Sequence, residues 1–175
     1  MRDILFRGFH RDENGTEKAF VNGELVKGTW VYGFYASKKE TTYVFKEDYE
    51  RNPVKTEHYI IVEQVTDWGL PNKFVAYPVI EETVGQYTEM KDKNGKNIFD
   101  WDIVKCYDKN VDESFCAIIM FGNPNGFYNY GWQLKPISET DFNVDILCWV
   151  DMEDAGAYIE IIGNIFENPE LLEVK

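Results

Sequence analysis

The sequence predicts a mainly β protein organised as two β-rich modules. Three observations carry that prediction. Aromatic residues make up 16% of the 175 residues, with 12 Phe, 11 Tyr and 5 Trp, and such flat side chains pack best across pleated strands. Asn-Gly pairs fall at 14–15, 22–23, 94–95 and 125–126. Each is flanked by residues of high β propensity, the punctuation of a strand meander rather than a helical bundle. Apolar content of 44% lies near the globular range, and the length suits one sizeable core or two small β modules.

The elements follow in order. Residues 3–9 read as an opening strand with Ile4 and Phe6 on one face, and Asn14-Gly15 then turns the chain through a polar stretch. Residues 29–36 form the best strand of the first half, where Gly33 marks a bulge or a close backbone approach. Strands over 42–46 and 58–63 flank a charged stretch from Lys46 to Glu57, containing Pro53, which reads as a surface loop. Residues 66–73 look irregular, and a strand resumes from Phe74 to Val79 until Pro78 disturbs it. A composition shift near Tyr77 to Thr83 sets the expected boundary, giving modules over 1–80 and 81–175.

The second module opens on Val84 to Val104, two short strands hinged on Asn94-Gly95, a pair that accepts the positive φ of a tight hairpin. Asp102 to Tyr107 alternates. Ser114 to Gly122 is a more continuous apolar run, as in a strand covered on both faces. Asn123 to Gly126 is a turn, and Phe127 to Leu134 returns. Ser138 to Asp141 has the composition of a helix start, while Val144 to Val150 suits either helix or strand. Tyr158 to Phe166 is a strand. Asn168-Pro169-Glu170 then opens a short C-terminal helix, with Asn as cap and Pro at the first helical position.

Charge narrows the function. The net charge is −13, and Glu139 to Lys175 holds ten acids against one base, so that segment contributes −9. An acidic surface repels phosphate, so direct nucleic-acid binding is disfavoured. The plain reading of the acidity is solubility. The sharper one is a nucleic-acid-mimicking decoy that occupies a basic groove on a DNA- or RNA-binding host factor. Its candidate acidic surface comprises Glu139, Asp141, Asp145, Asp151, Glu153 and Asp154. Cys106, Cys116 and Cys148 are odd in number, lack Cys-x-x-Cys spacing and sit among apolar neighbours, so free thiols in a reducing cytoplasm are expected. No signal-peptide h-region and no apolar run of membrane-spanning length appears.

Chemistry-bearing patterns are sparse. Asp92, Asn94, Gly95, Asp100 and Asp102 invite a calcium-loop reading, but counted from Asp92 the Gly falls at position four and no Glu closes the loop. A turn with solvated acids is the expectation. Asp100 and Asp102 share a face, yet acids beside a turn are more often surface groups than an acid–base pair. His10 and His58 are far apart, without companion spacing for zinc or for a nucleophile triad. No phosphate-binding or dinucleotide glycine pattern occurs. No cofactor, metal or catalytic residue is therefore expected. Were the chain an enzyme, Asp100, Asp102 and His58 would be the first residues to inspect. The aromatics Phe127, Tyr128, Tyr130 and Trp132 favour core packing or a protein interface over base stacking, which needs a positive groove.

Two segments carry a family likeness. Val84-Gly85-Gln86-Tyr87-Thr88-Glu89-Met90-Lys91-Asp92-Lys93-Asn94-Gly95-Lys96 through Val104 is similar to the central run of the YopX family of phage and prophage proteins. The ending Ile161-Ile162-Gly163-Asn164-Ile165-Phe166-Glu167-Asn168-Pro169-Glu170-Leu171-Leu172 resembles the end of that family. Asp3 to Gly8 and Gly28-Thr29-Trp30-Val31-Tyr32-Gly33 look like its N-terminal part. Residues 37–80 and 135–157 carry little likeness. Two departures stand out: Glu89-Met90 occupies positions where small or apolar residues are common, and Asp100-Trp101-Asp102 replaces a usual Glu-Gly-Asp. A positive φ at that central position would be costly for Trp101. The resemblance implies phage or prophage origin and SH3-like barrel character in part of the chain, and it brings no catalytic residues. The leading expectation is a non-enzymatic accessory protein of the bacterial host cytoplasm, working through protein–protein contacts as a homo-oligomer.

Overall fold

A computed structural model describes residues 4–39, 45–51, 55–126, 130–150, 152 and 155–173. The chain is mainly β and divides into two compact units, one spanning Ile4–Val84 and one built on Gly85–Lys175.

In the N-terminal unit, strands β1 (Phe6–Arg11), β2 (Glu17–Val21), β3 (Glu24–Lys38), β4 (Glu57–Gln64) and β5 (Lys73–Val79) form an antiparallel sheet. The 15-residue β3 serves three partners in turn: its start pairs with β2, its middle with β1 and its end with β4. The β2–β3 link is Asn22-Gly23, both at positive φ (51° and 85°), the geometry that matches the twist of a two-residue hairpin. Phe9 and Trp30 face each other across β1 and β3, with ring centroids 5.3 Å apart and edge to face. Ala19, Val21, Val31 and Ile60 are buried as well. After β5 the chain runs back along β1. The Ile80 N–H donates to the Phe9 carbonyl (3.0 Å), and the Phe9 N–H donates to Thr83 Oγ1 (2.9 Å). The fully buried Thr83 hydroxyl in turn donates to the Ile80 carbonyl (2.7 Å), so no donor is left unpaired at this buried polar group.

The C-terminal unit starts with β6 (Gly85–Lys91) and β7 (Asn97–Phe99). A four-stranded antiparallel sheet follows, in the order β10 (Gly131–Pro136), β9 (Glu113–Gly122), β8 (Asp102–Asp108), β11 (Ala157–Asn164). Its core joins Ile98, Val104, Phe115, Ile119, Leu134, Ile146, Trp149 and Ile159. Phe115 stacks on Phe142 (5.5 Å), and both meet Trp149 edge-on. The Trp149 indole donates to the Asn143 carbonyl (2.9 Å).

Several expectations change. The stretch from Lys46 holds a helix, α1 (Lys46–Arg51), rather than only loop. Glu47 and Asp48 lie in its first turn and Arg51 in its last, complementing the dipole, and Lys46 pairs with Glu50 at 3.4 Å. Of the strand expected over 42–46, residues 42–44 lie outside the described residues, and Lys46 is helical. No helix starts at Ser138, and 144–150 contains a 3-10 turn, Ile146–Cys148, capped by Asp145, whose side chain accepts from Leu147 N–H. The C-terminal helix is a single 3-10 turn, Pro169–Leu172, and Asn168 does not cap it with its side chain. Four residues are too few to close successive α-helical hydrogen bonds. β2 occupies a stretch read as polar, because Ala19 and Val21 alone supply its buried face.

Candidate functional site

The segment with the densest signature is an architectural clasp. Asp92 is 6% exposed, and its Oδ1 accepts from the N–H groups of Asn94 and Lys96, both at 2.9 Å. Its Oδ2 accepts from Ile161 N–H on β11 (3.2 Å), while Lys93 N–H donates to the Ile159 carbonyl (3.0 Å). The turn thereby docks onto the edge of β11. Burial pushes the Asp92 pKa up, but the hydrogen bonds from Lys96, Ile161 and Asn94 together outweigh it and hold the carboxyl below its usual range. Lys93 adds an ion pair with Glu160 (2.7 Å) and lies 4.1 Å above the Tyr158 ring. The turn itself is wider than a two-residue hairpin: Asp92 N–H reaches the Lys96 carbonyl (2.9 Å), and only Gly95, at φ 77°, is left-handed.

Asp102 is 2% exposed, and its Oδ2 accepts from Phe99 N–H (2.8 Å) across the β7–β8 corner. Asp92 and Asp102 are therefore buried backbone acceptors, which corrects the expectation of solvated acids. Period-two reasoning cannot see this, because a tight corner turns side chains back onto their own backbone. Trp101, between the two acids of the corner, adopts φ 69° despite the cost to a bulky residue. Two backbone bonds hold it there: Trp101 N–H to the Ile119 carbonyl (2.9 Å) and Ile165 N–H to the Trp101 carbonyl (3.1 Å).

The ending at 161–172 is a second clasp. Asn164 is 5% exposed, and its Oδ1 accepts from Phe166 and Glu167 N–H groups, both at 2.9 Å. Its Nδ2 donates to Glu167. A Cβ added at Gly163 would lie 2.3 Å from Asn168 Oδ1, so glycine lets the turn fold back this closely.

Three of the six acidic candidates fall among the described residues. Glu139 and Asp141 are exposed on the loop after β10. Asp145 is committed to capping Leu147 N–H (3.0 Å). Asp151, Glu153 and Asp154 lie outside the described residues. Of the aromatics, Phe127 and Tyr128 also lie outside them. Tyr130 is 78% exposed, and Trp132 is partly buried against Phe121 (5.0 Å).

The two histidines, distant in sequence, line one groove of about 720 Å³ in the N-terminal unit, with Arg11, Lys55, Tyr59 and Glu82. His10 Nδ1 lies 2.7 Å from the Pro78 carbonyl. His58 Nδ1 meets the Tyr35 hydroxyl at 2.7 Å, and Nε2 is 3.3 Å from Glu81 Oε2. That second approach is off the line of a hydrogen bond, so it is a proximity of groups rather than a directed bond. The Asn22 amide donates to Glu82 (2.8 Å) and holds its carboxyl below the usual range. Arg11 and Lys55 are outnumbered here by Glu24, Glu57, Glu81 and Glu82. Asp100 and Asp102 belong to the other unit. Among the described residues no group of three or more His, Cys, Asp or Glu is placed to hold a metal ion. No described helix is long and apolar enough to cross a membrane.

Comparison with known proteins decides the family. The family model described as YopX protein matches residues 6–173. The chain belongs to the YopX family. The SPbeta prophage-derived uncharacterized protein YopX of Bacillus subtilis (strain 168) is 30% identical over 118 residues, covering 65% of this chain and 81% of the relative. The solved structure of protein EF1440 from Enterococcus faecalis aligns over 95% of this chain and 98% of its own, at 20% identity and a TM-score of 0.38.

In this YopX-family chain the signature segments hold the C-terminal unit together. Exposed large apolar side chains lie elsewhere, on β3, β5 and the β4–β5 turn. On β3, β4 and β5 one cross-strand row joins Phe34, Ile61 and Ala76, and Phe74 stands diagonally beside it. Phe34 and Phe74 are 59% and 69% exposed. At the β4–β5 turn Trp68 is fully exposed, on a loop ordered by Leu70 N–H to the Asp67 carbonyl (3.0 Å) and Thr66 Oγ1 to the Pro71 carbonyl (2.8 Å). β4 itself pointed the other way: Ile60-Ile61-Val62 is apolar at both parities, the pattern of a strand covered on both faces, whereas Ile60 is buried and Ile61 and Val62 are only partly so.

Proposed function

We propose that this YopX-family chain is a phage or prophage accessory protein that acts through protein–protein contacts, without a catalytic step, and that it self-associates. The carrying observation is the apolar row of Phe34, Ile61 and Ala76 with Phe74, together with Val65, Trp68 and Leu70 exposed at the β4–β5 turn. Exposed large apolar side chains gathered on one face and its adjoining turn mark association sites. The buried acids Asp92 and Asp102 are engaged as backbone acceptors, which favours a contact role over acid–base work. A reducing cytoplasm suits Cys106, Cys116 and Cys148, which are free. SH3-like barrel character in the N-terminal unit is supported by the β3 strand shared among three partners and by the return of residues 80–83 along β1.

Sedimentation velocity over a concentration series tests the contact reading. Wild type is expected to sediment as a defined multimer, and Phe34→Ser/Phe74→Ser as a monomer with unchanged far-ultraviolet circular dichroism. A wild-type monomer at every concentration would overturn self-association.

A further inference from the structure

The C-terminal unit carries a second surface, of different chemistry from the apolar row. Along β9 and β10 the face that holds Ile119 and Leu134 in the core runs out at its end into Phe121 and Trp132, a cross-strand pair, and then Tyr130. Phe121 meets Trp132 and Tyr130 edge-on at 5.0 and 5.4 Å. The loop over 140–147 contributes the rest of a groove of about 940 Å³, lined by Met90, Tyr130, Trp132, Asp141, Val144 and Leu147 among others. Leu147 is 66% exposed. Asp141 is exposed as well, and no lysine or arginine lines the groove among the described residues. From Glu139 onward the sequence holds a single basic residue, Lys175, and the nearest base before the loop, Lys135, is not part of the groove lining.

Aromatic walls beside the exposed carboxylate of Asp141, with no base in the lining, suit a cation with a flat face. A guanidinium stacks on indole and phenol rings and bonds a carboxylate in two places, whereas an ammonium does only part of this. Stacked bases would suit the rings, but their phosphates would meet unopposed negative charge. We propose that this groove binds an extended, arginine-bearing segment of a partner protein, with an Arg side chain laid on Tyr130 and Trp132 and its guanidinium paired to Asp141. The proposal rests on the protein-contact reading above and gives the partner a chemical class.

The test is calorimetric titration of the full chain with a short capped peptide alternating Arg and Gly. Controls are its Lys–Gly and Glu–Gly counterparts and a thymidine oligonucleotide. The Arg peptide is expected to bind best, with affinity falling about threefold in Asp141→Asn and about two- to fivefold in Tyr130→Ala. Salt at about 0.5 M should largely abolish it. Both changes are at exposed side chains, so circular dichroism should be unchanged. Equal affinity in wild type and both variants, no binding at all, or equal binding of the Glu–Gly peptide or oligonucleotide would overturn the proposal. Sedimentation of the same samples separates the two failures: a multimer that ignores the Arg peptide leaves self-association standing and removes this groove.

Discussion

Asp92 accepts from three backbone N–H groups and one side-chain amide, and this makes the clasp acid-sensitive. Its pKa is depressed in the fold. The stability it contributes is therefore present above the unfolded value and lost as pH falls through the folded one. Wild type should lose stability more steeply than Asp92→Asn below roughly pH 4, read as urea midpoints at successive pH values. Glu89 and Trp101 pose a different problem, since both are left-handed at φ 69° without being glycine. Glu89 is exposed, so Glu89→Gly relieves the strain with little packing lost and should stabilise by about 0.5–1 kcal/mol in thermal unfolding. Both positions were visible as departures from the family pattern, but nothing in the sequence said that the backbone would keep the glycine geometry. What keeps it is the pair of long-range backbone bonds at Trp101, which no local pattern encodes.

At the scale of elements, strands with strong alternation or continuous apolar runs were legible: β1, β3, β4, β8, β9 and β11 lie where their patterns put them. The misses share a cause. α1 is a helix of charged residues, stabilised by dipole and i,i+4 pairing rather than by an apolar stripe, so periodicity is silent about it. β2 has only five residues. The turns were half legible. Asp12-x-Asn14-Gly15 and Asp92-x-Asn94-Gly95 use one device, an Asp side chain accepting from the N–H two residues on at 2.9 Å, which is an Asx-turn. Gly33 was read as a bulge or close approach, and the approach is what the fold requires: a Cβ there would sit 2.2 Å from the Ile61 carbonyl oxygen. That atom is backbone and cannot swing aside. Gly33→Ala should therefore cost about 1–3 kcal/mol of the β3–β4 pairing, measured as a lowered urea midpoint.

For the molecule as a whole, motif and surface divide the labour. The two segments that identify the family bury their polar groups in clasps at β11, the β7–β8 corner and the final turn. The proposed recognition surfaces lie mostly outside those two segments, on residues such as Phe34, Phe74, Trp68 and Asp141, with Met90 of the hairpin the exception in the C-terminal groove. A family can thus be recognised from its sequence while its binding chemistry stays out of view. Signature positions answer to the geometry of the fold, whereas exposed contact residues follow the partner. The acidic balance was legible, but the role of each acid was not, because Asp145 becomes a cap and Asp92 and Asp102 become buried acceptors only once the chain is folded.

The most direct test of this division is the urea unfolding free energy of Asn164→Ala, read by tryptophan fluorescence. The side chain is nearly buried and satisfies two N–H groups of the final turn. If the signature serves the fold, the loss is about 2–4 kcal/mol, with the multimer of the remaining folded protein unchanged. A loss below about 0.5 kcal/mol, the scale of a neutral surface change, would contradict that role and return the signature to the surfaces open for recognition.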